Sequence, residues 1–206
     1  IFDCCENIEF FGENPEGYAG SLQEPLRQRI YKRRLELVRE ISDQHSSHDD
    51  LQPLKTSLVE LLHGSAGKLE DENFIVRKHL QFVHKYRQRE SWDVITPEKA
   101  AEIVENLSGL PVPDGDHEAA RRFDLLLLNL QLAILQGDPN QNGYIQRLLT
   151  LADSLELKKS IPAVNQQMVL ILEVQTDAFW ENITLDMLED VRNRLRGLIQ
   201  FIDTKE

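Results

Sequence analysis

Between Leu125 and Leu135 only Asn129 and Gln131 are polar, and that run constrains the fold more than any other feature. Its surroundings, Asp116 to Gln136 followed by Gly137-Asp138-Pro139, read as one helix with a glycine stop. A helix that is apolar on nearly every side must sit centrally, covered by other elements. The run is shorter than the ~18 apolar residues that a membrane span requires. Composition points the same way. Ten Gly, eight Pro and 7% aromatic residues are lean for an all-β sandwich. With 41% hydrophobic and 28% charged residues over 206 positions, the chain can bury a core and is not a disordered tract. The expected fold is all-α: a multi-helix, bundle-like domain after a short extended lead-in.

The lead-in covers residues 1–20, where Ile1-Phe-Asp-Cys-Cys5 and Ile8-Glu-Phe-Phe11 are short β-like runs. Ser21-Leu-Gln-Glu24 is a capping box, and Pro25 lies in the first turn of a helix running to about residue 42. A second helix is predicted from Leu54 to Leu62, stopping at Gly64. A third starts near Glu70, with Val76, Leu80 and Val83 on its apolar stripe. Thr96-Pro97 opens a helix to about Leu107. Leu110-Pro-Val-Pro-Asp-Gly is the expected internal boundary, separating subdomains 21–110 and 111–206. Beyond the central helix, helices are expected at about 141–157, 163–175 and 185–202, the last capped by Thr184. That makes about eight helices, with no repeat of fixed period.

Charge is segregated. The chain carries 23 basic and 35 acidic residues, a net −12, which argues against a surface that wraps nucleic acid throughout. Yet residues 24–40 hold six basic and three acidic side chains, and residues 74–90 hold five and one. Arg33, Arg34, Lys78, Lys85 and Arg89 are the candidate contacts for a phosphate backbone, the last three expected on one helix face. The competing reading is a solvated outer face paired with acidic neighbours, and it is the preferred one.

Other motifs are weaker. Asp138-Pro-Asn-Gln-Asn-Gly143 resembles the first half of a calcium loop, but Leu149 stands where a bidentate Glu is required. His45 and His48 with Asp49 and Asp50 offer zinc-type ligands on a segment with no apolar support. His79 and His84 are five apart, so they do not share a helix face. His63 and His117 are isolated. No phosphate-cradling loop, nucleophile elbow or His-Glu-x-x-His occurs, so no catalytic residue, cofactor site or metal site is expected in this chain. Cys4 and Cys5 are the only cysteines, which excludes a disulfide framework and fits a cytoplasmic setting. The start at Ile-Phe-Asp is expected to be a cut inside a longer protein. On the central helix, Asp124 and Gln131 lie on nearly one face and need partners if buried. Arg192, Arg194 and Arg196 are the candidate donors.

At Glu118-Ala-Ala-Arg-Arg-Phe-Asp-Leu-Leu-Leu-Leu-Asn-Leu-Gln-Leu-Ala-Ile-Leu135 the sequence resembles the C-terminal helical region of the R subunit of type I restriction enzymes. Ile1 to Phe11 with Asn14-Pro-Glu-Gly17 looks like the segment just past that subunit's second helicase domain. Val76-Arg-Lys-His-Leu-Gln-Phe-Val83 and Trp92 look like the helices that follow. Ser160-Ile-Pro-Ala-Val164, Trp180-Glu-Asn-Ile-Thr184 and Leu195-Arg-Gly-Leu-Ile199 look like the closing part. The vicinal Cys4-Cys5 departs from the Tyr-Cys of that pattern. The resemblance implies a parent whose nuclease and helicase domains, with their ATP and Mg²⁺, lie upstream of Ile1; none of their residues maps here. It implies methyltransferase (M) and specificity subunits as partners, and DNA through the parent. It also implies a role in docking the motor and supporting its helicase domains. Phe179 and Trp180, with exposed apolar residues after Gly137, are the expected interface anchors. The alternative is a module that guides duplex along its basic helix faces.

Overall fold

The computed structural model describes residues 24–44, 48–113 and 115–202. Among them there are helices and turns but no strand, so the all-α expectation holds. The lead-in and the Ser21 cap lie outside the described residues. No helix among the described residues is long and apolar enough to cross a membrane. Two compact units divide at Asp116/His117, a few residues beyond the expected boundary at 110/111.

The first unit begins with α1 (Leu26–Gln44) packed on α2 (Gln52–Gly67). Leu37, Ile41, Leu58 and Leu62 are each at most 2% exposed on these two helices. Helix α2 does not stop at Gly64. A helical glycine costs only about 1 kcal/mol relative to Ala, and burial of Leu62 and Ala66 on either side carries the helix past it. The single helix expected from Glu70 is two: α3 (Phe74–Arg77) and α4 (Leu80–Tyr86), broken at Lys78-His79. A 3₁₀ turn at Arg89–Trp92 leads to α5 (Pro97–Leu107). Thr96 caps α5 by accepting from the Lys99 N–H at 3.3 Å, with Pro97 as the first helical residue. Gln28 on α1 donates to Ser108 Oγ (3.2 Å), and Arg27 donates to the Val112 carbonyl, tying both ends of the unit together.

The second unit is built around α6 (Glu118–Gln136). Phe123, Leu127 and Leu130 are fully buried, which makes α6 the core helix that its composition demands. Gly137 ends it in the left-handed region (φ +64°), a conformation that any L side chain adopts only with strain. Helix α7 (Gln141–Glu156) packs on α6. The helix expected at 163–175 is again two, α8 (Pro162–Asn165) and α9 (Met168–Val174), and α9 packs on α7. Helix α10 (Asp177–Glu181) precedes α11 (Leu185–Leu195), which packs on α6 and ends before a 3₁₀ turn at Ile199–Phe201. Thr184 caps α11 by accepting from the Met187 N–H at 3.2 Å.

The two units follow one plan of helix lengths, although the sequence shows no repeat of fixed period. The paired helices have the same lengths: 19 residues for α1 and α6, 16 for α2 and α7, 4 for α3 and α8, 7 for α4 and α9, 11 for α5 and α11. From Phe74/Pro162 to Leu110/Leu198 the register is 88 residues without a gap. Val76 and Val164, Val83 and Ile171, Tyr86 and Val174, Ile103 and Val191 are corresponding pairs, all 0% exposed. Trp92 Nε1 donates to the Tyr86 carbonyl at 2.9 Å; Trp180 Nε1 donates to the Val174 carbonyl at 2.8 Å. The two helix breaks are fastened alike. His79 Nδ1 lies 3.1 Å from Asn106 Oδ1 on α5, and Gln167 Oε1 accepts from Arg194 Nε on α11 at 2.7 Å. Both pairs join the same two places of the plan. The likeness escapes a reading by period because few corresponding residues are identical, and the spacing drifts to 89 and 92 residues in the earlier helices.

Corresponding caps have corresponding worth. Thr96→Ala and Thr184→Ala are each expected to cost about 1 kcal/mol in urea unfolding, and to agree within a few tenths of a kcal/mol.

Candidate functional site

The basic residues of the first unit do not form a single strip. Lys78 follows α3, Lys85 lies on α4 and Arg89 opens a 3₁₀ turn, so no one helix face carries all three. Most of these cations are engaged. Arg33 pairs with Glu36 at 2.6 Å, Lys85 with Glu102 at 2.5 Å and Arg89 with Asp93 at 3.1 Å. Arg34 is half-buried on α1. Lys78 lies 4.8 Å over the Phe74 ring, an exposed cation–π contact. Arg87, also in the basic segment, reaches Asp71 at 2.7 Å and the Leu69 carbonyl at 2.5 Å, fastening the turn after α2.

Glu102 organises the α4/α5 contact. Lys85 Nζ and Tyr86 Oη both donate to its Oε1, at 2.5 and 2.6 Å. The Lys85 hydrogen bond, and then that of Tyr86, hold the Glu102 carboxyl below the usual glutamate range. Burial, reinforced by Glu102, pushes the Tyr86 phenol up. A depressed folded-state pKa means that Glu102 stabilises the fold above its unfolded pKa, near 4.5, and loses that contribution as pH falls through the folded value. Glu102→Gln is therefore expected to lower stability at pH 7 and to flatten the loss below pH about 4.5. Urea midpoints across pH 3–7 measure this.

In the second unit, Asp124 is 2% exposed and receives two arginines. Arg196 approaches with two nitrogens (3.1 and 2.9 Å) and Arg192 with one at 3.2 Å. Arg192 also holds Glu189 at 2.6 Å and Asn193 at 2.8 Å. Burial alone would lower the Arg192 pKa; hydrogen bonds and charge from Glu189 and Asp124 outweigh it and raise it. Two of the three expected donors thus serve Asp124, while Arg194 turns to Asp190 and Gln167. Gln131 is fully buried and donates to the Leu185 carbonyl at 3.4 Å; its Oε1 has no hydrogen-bond partner among the described residues. The cluster locks α6 to α11.

The metal-like motifs have local duties. Asp138 Oδ1 accepts from the Asn140 N–H at 2.8 Å, an Asx turn at the start of α7. His48, Asp49 and Asp50 are exposed, and His45 lies outside the described residues. Among the described residues no three His, Cys, Asp or Glu side chains converge as a metal set. His84 bonds Asp71 at 3.0 Å, and His63 bonds the Arg87 carbonyl at 2.9 Å. His117 stands exposed at the head of α6.

The apolar surface differs from expectation. Phe179 is 5% exposed and meets Trp180 edge-on at 5.2 Å. It is core, and only the half-buried Trp180 retains surface. Among the described residues the large apolar side chains left outside are Phe74, Ile75 and Val94, with Leu61 at the margin, in the first unit, and Leu157, Val169 and Leu172 in the second. Comparisons with protein-family models, curated proteins and solved structures found no match.

Proposed function

We propose that this chain is a non-catalytic helical assembly module, the C-terminal helical part of a type I restriction enzyme R subunit. In that role it joins the motor to the methyltransferase and specificity subunits and supports the helicase domains. ATP, Mg²⁺ and DNA cleavage then belong to upstream parts of the parent, in the cytoplasm. The observation that supports docking is the exposed apolar set: Phe74 is 74% exposed, Val169 78% and Leu157 83%. Exposed large apolar groups that adjoin one another, as Val169 and Leu172 do one turn apart, suit a partner's surface.

The second reading, duplex guidance, has Lys78 in its favour, whose only described partner is an exposed aromatic ring. Arg33, Lys85 and Arg89 would each have to leave a carboxylate. One experiment separates the two. The purified chain is titrated with the methyltransferase core, and in parallel with duplex DNA at two salt concentrations. The assembly reading expects tight protein binding and weak DNA binding. Strongly salt-dependent duplex binding without protein binding, abolished by Lys78→Ala/Lys85→Ala/Arg89→Ala, would overturn it.

A further inference from the structure

The shared plan supplies an internal control for asking which surface residues the fold needs. On α9, Val169 and Leu172 are one turn apart and point away from the buried Leu170, Ile171 and Val174. They are 78% and 46% exposed. The corresponding residues on α4 are Gln81 and His84, both exposed and polar. The same helix, of the same length and at the same place in the plan, forms with polar residues there. A helix at this place in the plan thus forms without an apolar pair on its outer face.

Charge diverges at the same place. Between Ser160 and Val191 there are six acidic residues and no Lys or Arg. Glu189 and Asp190 are engaged by Arg192 and Arg194. Glu173, Asp177, Glu181 and Asp186 are exposed. In the first unit, Lys85 and Arg89 occupy the places of Glu173 and Asp177. The outer face of α9 thus carries an apolar pair beside Glu173, and Asp177 heads the next helix, α10; neither carboxylate has an ion-pair partner among the described residues, where the first unit carries Lys85 and Arg89 at the corresponding places.

We infer that the outer face of α9 docks a basic amphipathic helix of a partner protein, Val169 and Leu172 taking its apolar stripe and Glu173 and Asp177 its flanking Lys or Arg residues. Helix-on-helix docking of this kind is read by apolar residues at turn spacing, and the rim charges select the partner. A second copy of this chain would bring carboxylates against carboxylates, so charge disfavours self-association through this face. The inference deepens the assembly reading and rests on it.

The test uses a labelled Leu/Lys amphipathic helical peptide and its Leu/Glu counterpart, followed by fluorescence anisotropy on the full chain. The Leu/Lys peptide is expected to bind and the Leu/Glu peptide not. Val169→Gln/Leu172→His installs the residues of the sister helix and leaves every Asp, Glu, Lys and Arg in place. It is expected to melt like the parent and weaken binding by about tenfold or more. Glu173→Lys/Asp177→Arg is expected to remove most of the salt dependence. Equal binding by Val169→Gln/Leu172→His would mean that a cationic peptide merely adsorbs to an acidic chain, and would overturn the proposal. So would sedimentation showing dimers that this variant abolishes. A chain that binds the methyltransferase core but ignores the peptide overturns the α9 assignment and leaves the assembly reading standing.

Discussion

Asp124→Ala is expected to destabilise the second unit by about 2–3 kcal/mol, a large share of a small domain's total stability. The carboxylate is 2% exposed and is the shared acceptor for Arg192 and Arg196. Removing it takes away the buried acceptor that both guanidinium groups share and unfastens α6 from α11. Arg192 keeps Glu189, so its charge is not left alone, whereas Arg196, a quarter exposed, turns toward water. Arg196→Ala is expected to cost less than Asp124→Ala, because Asp124 then still has Arg192. Urea unfolding followed at Trp180 measures both. Equal and small losses, below about 1 kcal/mol, would mean that solvent reaches the cluster and that it contributes little more than a surface ion pair.

Trp92→Ala is expected to cost the first unit about 3–5 kcal/mol. The indole is 2% exposed, stands edge-on to Tyr86 at 5.5 Å, and gives its N–H to the Tyr86 carbonyl. Truncation leaves a cavity and removes that donor from a buried place. The corresponding Trp180→Ala breaks the matching bond, but Trp180 is only half-buried, so a smaller loss is expected. Far-UV circular dichroism in urea compares the two variants. If both losses were equal, the hydrogen bond and not burial would set the cost.

Much of the local structure is legible in residue order. Thr96 and Thr184 are caps because a short hydroxyl side chain can take an early N–H, and both do so. Gly137 is a stop because it alone tolerates the left-handed turn there. Asp124 announces its need for a donor by standing in an apolar run, and Arg192 and Arg196 were within reach of inference. The breaks at His79 and Gln167 are not legible. Neither has a Gly or Pro beside it, and each is held by a hydrogen bond to a helix 27 residues further on. The shared plan stays hidden because few corresponding residues are identical, and the outward faces of α4 and α9 have diverged in charge and polarity.

The sequence by itself determined that this chain is helical, where most helices begin, and that α6 is central. These follow from capping chemistry and from periodicity, which act over a few residues. Only the tertiary structure decided which apolar residues are surface. Phe179 and Val169 look alike as candidates, yet the first is core and the second lies open. Periodicity assigns a residue to one side of its own helix. Whether that side is covered depends on neighbours from elsewhere in the chain, which here cover Phe179 and leave the outer face of α9 bare.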